Sequence, residues 1–293
     1  MPEFLTTREV AELLRIKERK VYELVSGNAI PTSRVTGKLL FPRDLVEAWV
    51  RAHVEFREGV EGLVARPLVI AGSHDPLLDW ALRESGSGIA TFFDGSLDGF
   101  ARMARGTAVA AGVHVFEPET GDWNRGHVAR HLHGKPVVLV EWAHRMQGLV
   151  VAPGNPRRIT GIGDLAGLRF VPRQPSAGSR LLFDHLLRQA GISAGQVTML
   201  DRPARNEADV ALAIADDKAD VGLAVESVAR QYRLEFVPVK AERYDLVVWR
   251  HAWFEEPIQA LLAFCRSDVF RDRAAELGGY DISGLGAVRY NGP

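Results

Sequence analysis

Residues 4–50 read FLTTREVAELLRIKERKVYELVSGNAIPTSRVTGKLLFPRDLVEAWV, and they parse into three helical stretches and a hairpin. Thr6 followed by Glu9 three residues later is a capping box, with Thr7 an alternative cap. Val10, Leu13 and Leu14 then form one apolar stripe. Ile16 and Lys17 make the turn. Glu18 to Ser26 is the next helix, with Val21, Leu24 and Val25 inward and Arg19, Lys20 and Tyr22 on the other face. Gly27-Asn28 supplies the stop. From Thr32 to Phe41 polar and apolar residues alternate around Thr36-Gly37, a hairpin signal. Pro42 and Asp44 open a third helix, from Leu45 to about Phe56.

Two short helices around a tight turn, followed by a basic hairpin, are a winged helix-turn-helix. The second helix of such a unit enters the major groove of double-stranded DNA, and its early residues reach base edges. Arginine reads guanine there, and lysine more often holds phosphate. The candidate DNA contacts are therefore Arg19, Lys20 and Tyr22 on the helix and Arg34 and Lys38 on the hairpin. Charge adds little. Residues 1–57 hold 10 Lys and Arg against 8 Asp and Glu, and the whole chain carries −1, so it is no general binder of polyanions.

Outward from this module, residues 58–66 read as a linker, rich in glycine and mixed charge. Beyond it, short apolar strands alternate with helical segments: LVIAG at 68–72, then GIATFFDG, AVAAGVHV, PVVLVEWA, GLVVAP, LRFVPR, DVGLAVES and YDLVVW. That alternation predicts parallel α/β sheets. The order gives lobe I as 67–145 with 244–293 and lobe II as 146–243, with a cleft between them. The length of 293 residues and the ordinary composition, 46% hydrophobic and 25% charged, fit two or more domains. One cysteine, Cys265, lies in an apolar helical stretch and reads as a core thiol. MPEFLTTRE is not a secretion signal and no apolar run is long enough to span a bilayer, so a cytoplasmic, non-membrane protein is expected.

The N-terminal module resembles the excisionase and MerR-like families. The resemblance is carried by Leu5-Thr6-Thr7, Glu9-Val10-Ala11, Val21-Tyr22, Gly27, Ile30-Pro31 and Phe41-Pro42-Arg43-Asp44-Leu45. The body resembles the periplasmic-binding-protein-like domain fused to helix-turn-helix modules in bacterial regulators, a relative of molybdate- and tungstate-binding proteins. Its motifs run in order: Gly72-Ser73-His74-Asp75-Pro76, Asp94-Gly95-Ser96-Leu97-Asp98-Gly99, Ala111-Gly112-Val113-His114, Gln147-Gly148-Leu149, Pro153-Gly154-Asn155-Pro156, Arg173-Gln174 with Gly178-Ser179-Arg180 three residues on, and Ala219-Asp220-Val221-Gly222-Leu223-Ala224-Val225-Glu226. One departure is Glu207, where that family tends to carry histidine. The resemblance implies an α/β chain: an N-terminal winged helix-turn-helix plus a two-lobed, type II periplasmic-binding-protein-like domain.

Three of these motifs fall where a strand ends and a helix begins, the place where open α/β sheets bind ligands. Helix N-termini expose free N–H groups and positive partial charge. Ser73, Ser96, Ser176 and Ser179 add hydroxyls, His74 and His114 add ring N–H groups, Gly178 admits close backbone approach, and Arg180 is a candidate charge partner. Neutral donors suit an oxyanion without its own proton, molybdate or tungstate first; a small organic acid or aromatic ligand is the alternative. His127, His131 and His133 have metal-like spacing but lack a further ligand, so no metal is expected. The sequence shows no persuasive nucleophile constellation. The expected protein is therefore a homodimeric, ligand-responsive transcriptional regulator rather than an enzyme, with no cofactor beyond its bound effector.

Overall fold

A computed structural model describes residues 3–35, 37–53 and 65–293. Thr36 of the anticipated turn, the far end of the third helix at Phe56 and residues 58–64 of the linker lie outside the described residues. The chain divides into two compact units, Met1–Glu61 and Gly62–Pro293.

In the first unit, strand β1 (Phe4–Leu5) leads into helix α1 (Thr7–Leu14). Thr6 caps that helix: its Oγ1 accepts from Glu9 N at 3.3 Å, while the Glu9 carboxylate accepts from Thr6 N at 2.7 Å. Arg15 ends it in the left-handed region at φ 54°. Helix α2 (Glu18–Ser26) follows, then strands β2 (Ser33–Val35) and β3 (Lys38–Pro42) and helix α3 (Arg43–Ala52). The third helix thus starts two residues earlier than the sequence suggested. The strands form a sheet in the order β1-β3-β2. Leu5, Val10, Val21, Ile30, Phe41 and Val46 fill a small core beneath it.

In the second unit the first lobe opens with strand β4 (Val69–Gly72), helix α4 (Pro76–Glu84), strand β5 (Ala90–Phe93), helix α5 (Ser96–Arg105) and strand β6 (Ala110–Val113). β4 pairs in parallel with both β5 and β6, so all three strands end on one side. Asp75 starts α4 by accepting from Leu78 N at 2.7 Å, with Pro76 set in the first turn. A small hairpin of β7 (Phe116–Glu117) and β8 (Asp122–Trp123) precedes helix α6 (Arg125–His131). Strand β9 (Val137–Val151) then leaves the first lobe and enters the second.

The second lobe holds β10 (Arg169–Val171), α7 (Gly178–Gln189), β11 (Thr198–Met199), α8 (Glu207–Ala215), β12 (Val221–Val225) and α9 (Glu226–Gln231). Strand β13 (Glu235–Trp249) runs back to the first lobe. There α10 (Arg250–Trp253), α11 (Glu256–Phe264), α12 (Asp268–Leu277), β14 (Tyr280–Asp281) and β15 (Val288–Asn291) complete the chain. Both β14 and β15 pair with β9.

The two lobes share a single sheet. Among the described residues its order is β11-β10-β12-β9-β13-β6-β4-β5. β9 and β13 are each 15 residues long and pair antiparallel along most of their length, with Glu242 opposite Arg145 near the middle. This departs from the expectation of parallel sheets built from short strands. PVVLVEWA and GLVVAP are the two ends of β9, joined by the polar run His144-Arg145-Met146-Gln147. The outer strands of each lobe are parallel; the two connecting strands are not. One large core lies in the first lobe around Ile70, Leu77, Phe100, Leu139 and Trp142. Smaller ones lie in the second, around Phe170, Leu182 and Phe183 and around Val171, Val210 and Ile214.

Candidate functional site

The strand ends of both lobes meet over the middle of β9 and β13. From the first lobe, Ser73 follows β4 and His114 follows β6. Ser73 Oγ lies 2.8 Å from His114 Nε2, and His114 Nδ1 lies 2.8 Å from Glu242 Oε2 on β13. His114 N donates to Ser96 Oγ at 3.1 Å, so the first residue of α5 joins the same cluster. Tyr244 Oη donates to the Ser73 carbonyl at 2.5 Å, and its ring stacks on His114 with centroids 5.8 Å apart. All five side chains are buried.

From the second lobe, the first turn of α7 closes on this cluster. A Cβ placed on Gly178 would lie 2.4 Å from the His114 carbonyl oxygen, a separation that only glycine permits. Ser179, next along, is buried, and its Oγ has no hydrogen-bond partner among the described residues. Nearby, Ser176 Oγ donates to the Asp94 carbonyl at 2.8 Å, Leu97 N donates to the Ser176 carbonyl at 3.1 Å, and Arg205 pairs with Asp94 at 3.2 Å. These interactions join the lobes at the cleft rim, so the molecule is in a closed form.

Beneath the serines runs a buried chain of charge. Arg145 donates through Nε to Glu242 Oε1 at 2.8 Å and through Nη1 to Asp75 Oδ2 at 2.8 Å. Asp75 also accepts from Trp142 Nε1 at 3.1 Å and Tyr280 Oη at 2.7 Å. Gln147 Nε2 donates to Glu242 at 3.1 Å and to Glu207 at 3.2 Å. Glu207 Oε2 accepts from Val225 N at 3.2 Å. Arg173 approaches Glu207 at 3.9 Å. Burying single charges costs several kcal/mol each, so such groups persist only when paired and hydrogen-bonded. Burial opposes the charge on Glu242, but Arg145 and His114 beside it win and hold its carboxyl at about 2. Burial likewise opposes the Arg145 charge, and Glu242 and Asp75 outweigh it. For Arg173 burial prevails and lowers the guanidinium pKa. Burial also pushes the Tyr244 phenol far above its ordinary value, helped by the negative charge of Asp75.

Of the residues expected from sequence to hold a ligand, the fold gathers Ser73, Ser96, His114, Gly178 and Ser179. Three stand apart. His74 packs edge-on against Phe93, with its Nε2 4.0 Å from Asp79. Ser176 gives its hydroxyl hydrogen to the rim interaction with Asp94. Arg180 pairs with Asp184 one turn along α7 at 3.0 Å. Sequence reasoning gave no site role to Arg145, Glu242 and Tyr244, and offered Gln147 only as part of a motif. Their signal was present as the polar runs HRMQ and ERYD inside otherwise apolar strand segments. His127 and His131 stack on each other at 5.8 Å and both stack on Phe100, an aromatic packing arrangement.

In the N-terminal unit, Arg19 and Lys20 occupy the first turn of α2 and reach Glu23 at 3.5 and 3.0 Å. Tyr22 is exposed. Arg34 and Lys38 lie on adjoining strands of the hairpin, where Val35 pairs with Lys38 and Arg34 with Leu39.

Fold and cleft together define a two-lobed, periplasmic-binding-protein-like domain carried in one chain with a helix-turn-helix unit. Residues 79–266 match the family model described as the PBP superfamily domain, and the chain belongs to that superfamily. Residues 4–54 match the model described as a helix-turn-helix domain. A relative, the uncharacterized protein YvgK of Bacillus subtilis (strain 168), is 25% identical over 300 residues, covering 97% of this chain and 96% of that protein. Among solved structures, the sulfate-binding protein SubI from Mycobacterium tuberculosis H37Rv aligns with a TM-score of 0.52 at 14% identity, over 74% of this chain and 86% of that one. A putative phosphate ABC transporter substrate-binding protein from Clostridium perfringens, with bound phosphate, aligns with a TM-score of 0.51 at 12% identity, over 76% of this chain and 99% of that one. At these identities the structural likenesses speak for the fold alone.

Proposed function

We propose that this protein is a ligand-responsive transcriptional regulator. In this reading its N-terminal unit binds double-stranded DNA as a homodimer, and its two-lobed domain senses a small oxyanion, molybdate or tungstate first. The observation that carries the reading is the meeting of Ser73, Ser96 and His114 from one lobe with Gly178 and the Ser179 hydroxyl, unpartnered among the described residues, from the other. Helices α5 and α7 also begin at this place, and helix N-termini carry positive partial charge. The carboxylates of Glu207, Glu242 and Asp75 are already taken by Gln147, Val225 N, His114, Arg145, Trp142 and Tyr280.

Lobe closure provides the coupling to DNA. A two-lobed binder shifts toward its closed form by as much as the ligand prefers that form. The rim interactions of Ser176 and Arg205 with Asp94 exist only when the lobes meet, so ligand and rim act together. Linkage then requires that DNA and ligand affect each other's affinity equally.

One observation favours a second ligand class. Gln147 Oε1 is buried without a hydrogen-bond donor among the described residues. A ligand with a hydrogen to give, such as a small hydroxy acid, would satisfy it, whereas molybdate would not. Electrophoretic shift on the DNA upstream of the protein's own coding region, with molybdate, tungstate, sulfate and a panel of hydroxy acids, separates these readings. An oxyanion-specific change in affinity is expected. Identical shifts in every condition would remove the switch. Replacing Ser73 and Ser96 together with alanine should abolish the ligand-induced rise in melting temperature.

A further inference from the structure

We infer that the groove between α9 and α12 is a second binding site, one that takes the carboxylate of a small organic acid. The groove has a volume of about 270 Å³ and is lined by Ser227, Arg230 and Gln231 of α9 and by Arg273, Glu276 and Leu277 of α12. None of these residues is among the cleft groups described above.

The walls of the groove hold donors that the protein leaves unused. Ser227 is 2% exposed, and its Oγ has no hydrogen-bond partner among the described residues. The Tyr280 hydroxyl beside it gives its hydrogen to Asp75 instead. Arg273 Nε is buried and likewise has no partner among the described residues. The same guanidinium donates through Nη1 to Glu276 at 2.6 Å and stands 5.8 Å from the centre of the Trp80 ring. Arg230 donates through Nε and Nη2 to Glu226 at 2.9 and 2.6 Å, and its Nη1 lies over Gly278. A buried donor without an acceptor is costly, and native proteins keep few of them. Here a hydroxyl and a guanidinium N–H of that kind line one groove.

The ligand class follows from that spare capacity. Glu226 and Glu276 are already engaged by the two arginines, so the ligand must bring acceptors. A carboxylate offers two oxygens in one plane, which match a guanidinium fork and keep lone pairs for a serine hydroxyl. Two arginines against two glutamates leave no net charge, so a bare inorganic ion gains little here. Leu277 adds an apolar wall, which favours a ligand with a carbon frame. The volume falls just below the roughly 300–1,000 Å³ of pockets for drug-sized molecules, so the acid is small. The position of the groove gives the site a consequence. α9 belongs to the second lobe and α12 to the first. A Cβ on Gly278 would collide with the Arg230 guanidinium and one on Gly279 with Glu226, so α9 lies directly on the turn that follows α12. An acid held by both Arg230 and Arg273 bridges the lobes and favours the arrangement that keeps these walls at their present spacing.

The test is nitrogen NMR of the full chain titrated with acetate, succinate and citrate at millimolar concentration, with inorganic phosphate as the control. The Nε–H resonances of Arg230 and Arg273 should shift saturably with one or more of the three acids and not with phosphate. Arg273→Met should weaken that binding roughly tenfold or more, the loss of a hydrogen bond to a charged group. Ser227→Ala should weaken it severalfold while leaving the melting temperature of the free protein unchanged, because the hydroxyl bonds nothing there. Absence of a saturable shift at both arginines with all three acids would overturn the site. So would binding that is equally tight in both variants. Phosphate binding as tight as that of the acids would overturn the organic-acid assignment. Since the cleft residues are untouched, none of these outcomes bears on what the serine cleft binds.

Discussion

Arg145 on β9 and Glu242 on β13 stand opposite each other in strand register and are joined at 2.8 Å through Arg145 Nε, both fully enclosed, at the point where the two lobes exchange strands. The pair sits beneath the cleft serines, touches His114 on one side and Asp75 on the other, and so positions the strand-end side chains of the first lobe from the crossing of β9 and β13. Replacing Arg145 with methionine leaves two buried carboxylates without their cation. The expected loss is about 3–5 kcal/mol of unfolding free energy. Urea unfolding followed by tryptophan fluorescence reads it, because Trp142 shares Asp75 with Arg145. A change within experimental error would mean that the pair is not closed in solution.

The same pair sets an acid limit. The Glu242 carboxyl is held at about 2, below its ordinary 4.5. A depressed carboxyl contributes stability that is present above its unfolded value and is lost as pH falls through the folded one. That contribution is on the order of 3 kcal/mol at neutral pH and should fade between roughly pH 5 and pH 2. Asp245 works in the opposite sense. Burial raises its carboxyl to about 6 against the pull of Arg243 and Asn124. Its penalty is absent in acid, below its unfolded value, and grows as pH rises through about 6. Stability measured against pH should therefore rise on mild acidification from neutrality and then fall steeply. Asp245→Asn should flatten the upper slope and leave the lower one.

Gly178 gives a sharper test of closure than any deletion. Its absent side chain lets α7 reach the His114 carbonyl, and an alanine methyl would stand 2.4 Å from that oxygen. Either α7 withdraws or the lobes part. Gly178→Ala should lower the unliganded melting temperature, because the methyl group displaces α7 from the His114 carbonyl. It should also reduce the ligand-induced rise by more than half, read by differential scanning fluorimetry with tungstate and molybdate. An undiminished rise would place the ligand away from this part of the cleft.

Much of this was legible in the chain, and the rest was hidden for physical reasons. Strand ends followed by helix starts gave away Ser73, Ser96, Gly178 and Ser179, because a serine or glycine before a helix has a local cause. The capping box of Thr6 and Glu9 was visible for the same reason. Glu242 and Arg145 were not, since they sit mid-strand and are 97 residues apart in sequence, and only the pairing of β9 with β13 brings them together. Their polar neighbours made a long strand look like two short ones. Ser176 and Arg180 lie in a motif that does reach the cleft, but tertiary interactions with Asp94 and the local pair with Asp184 decide where they point.

The helix-turn-helix unit yields a prediction from its own charge pairing. Arg19 and Lys20 both lean on Glu23, one turn along α2. These pairs are exposed, and such pairs contribute about 0–1 kcal/mol, so they cost little to break. Glu23 is also a negative charge on the helix expected to face phosphate. Glu23→Gln should therefore leave folding unchanged and raise DNA affinity severalfold. Arg19→Ala with Lys20→Ala should lower it and reduce the dependence of log affinity on log salt by about one for each phosphate no longer neutralised. Arg34→Ala and Lys38→Ala on the hairpin should weaken binding uniformly across DNA sequences, as removal of a backbone-holding charge does. Fluorescence anisotropy at several salt concentrations reads all four changes. An affinity insensitive to every one of them would move the DNA-binding surface off this helix and hairpin.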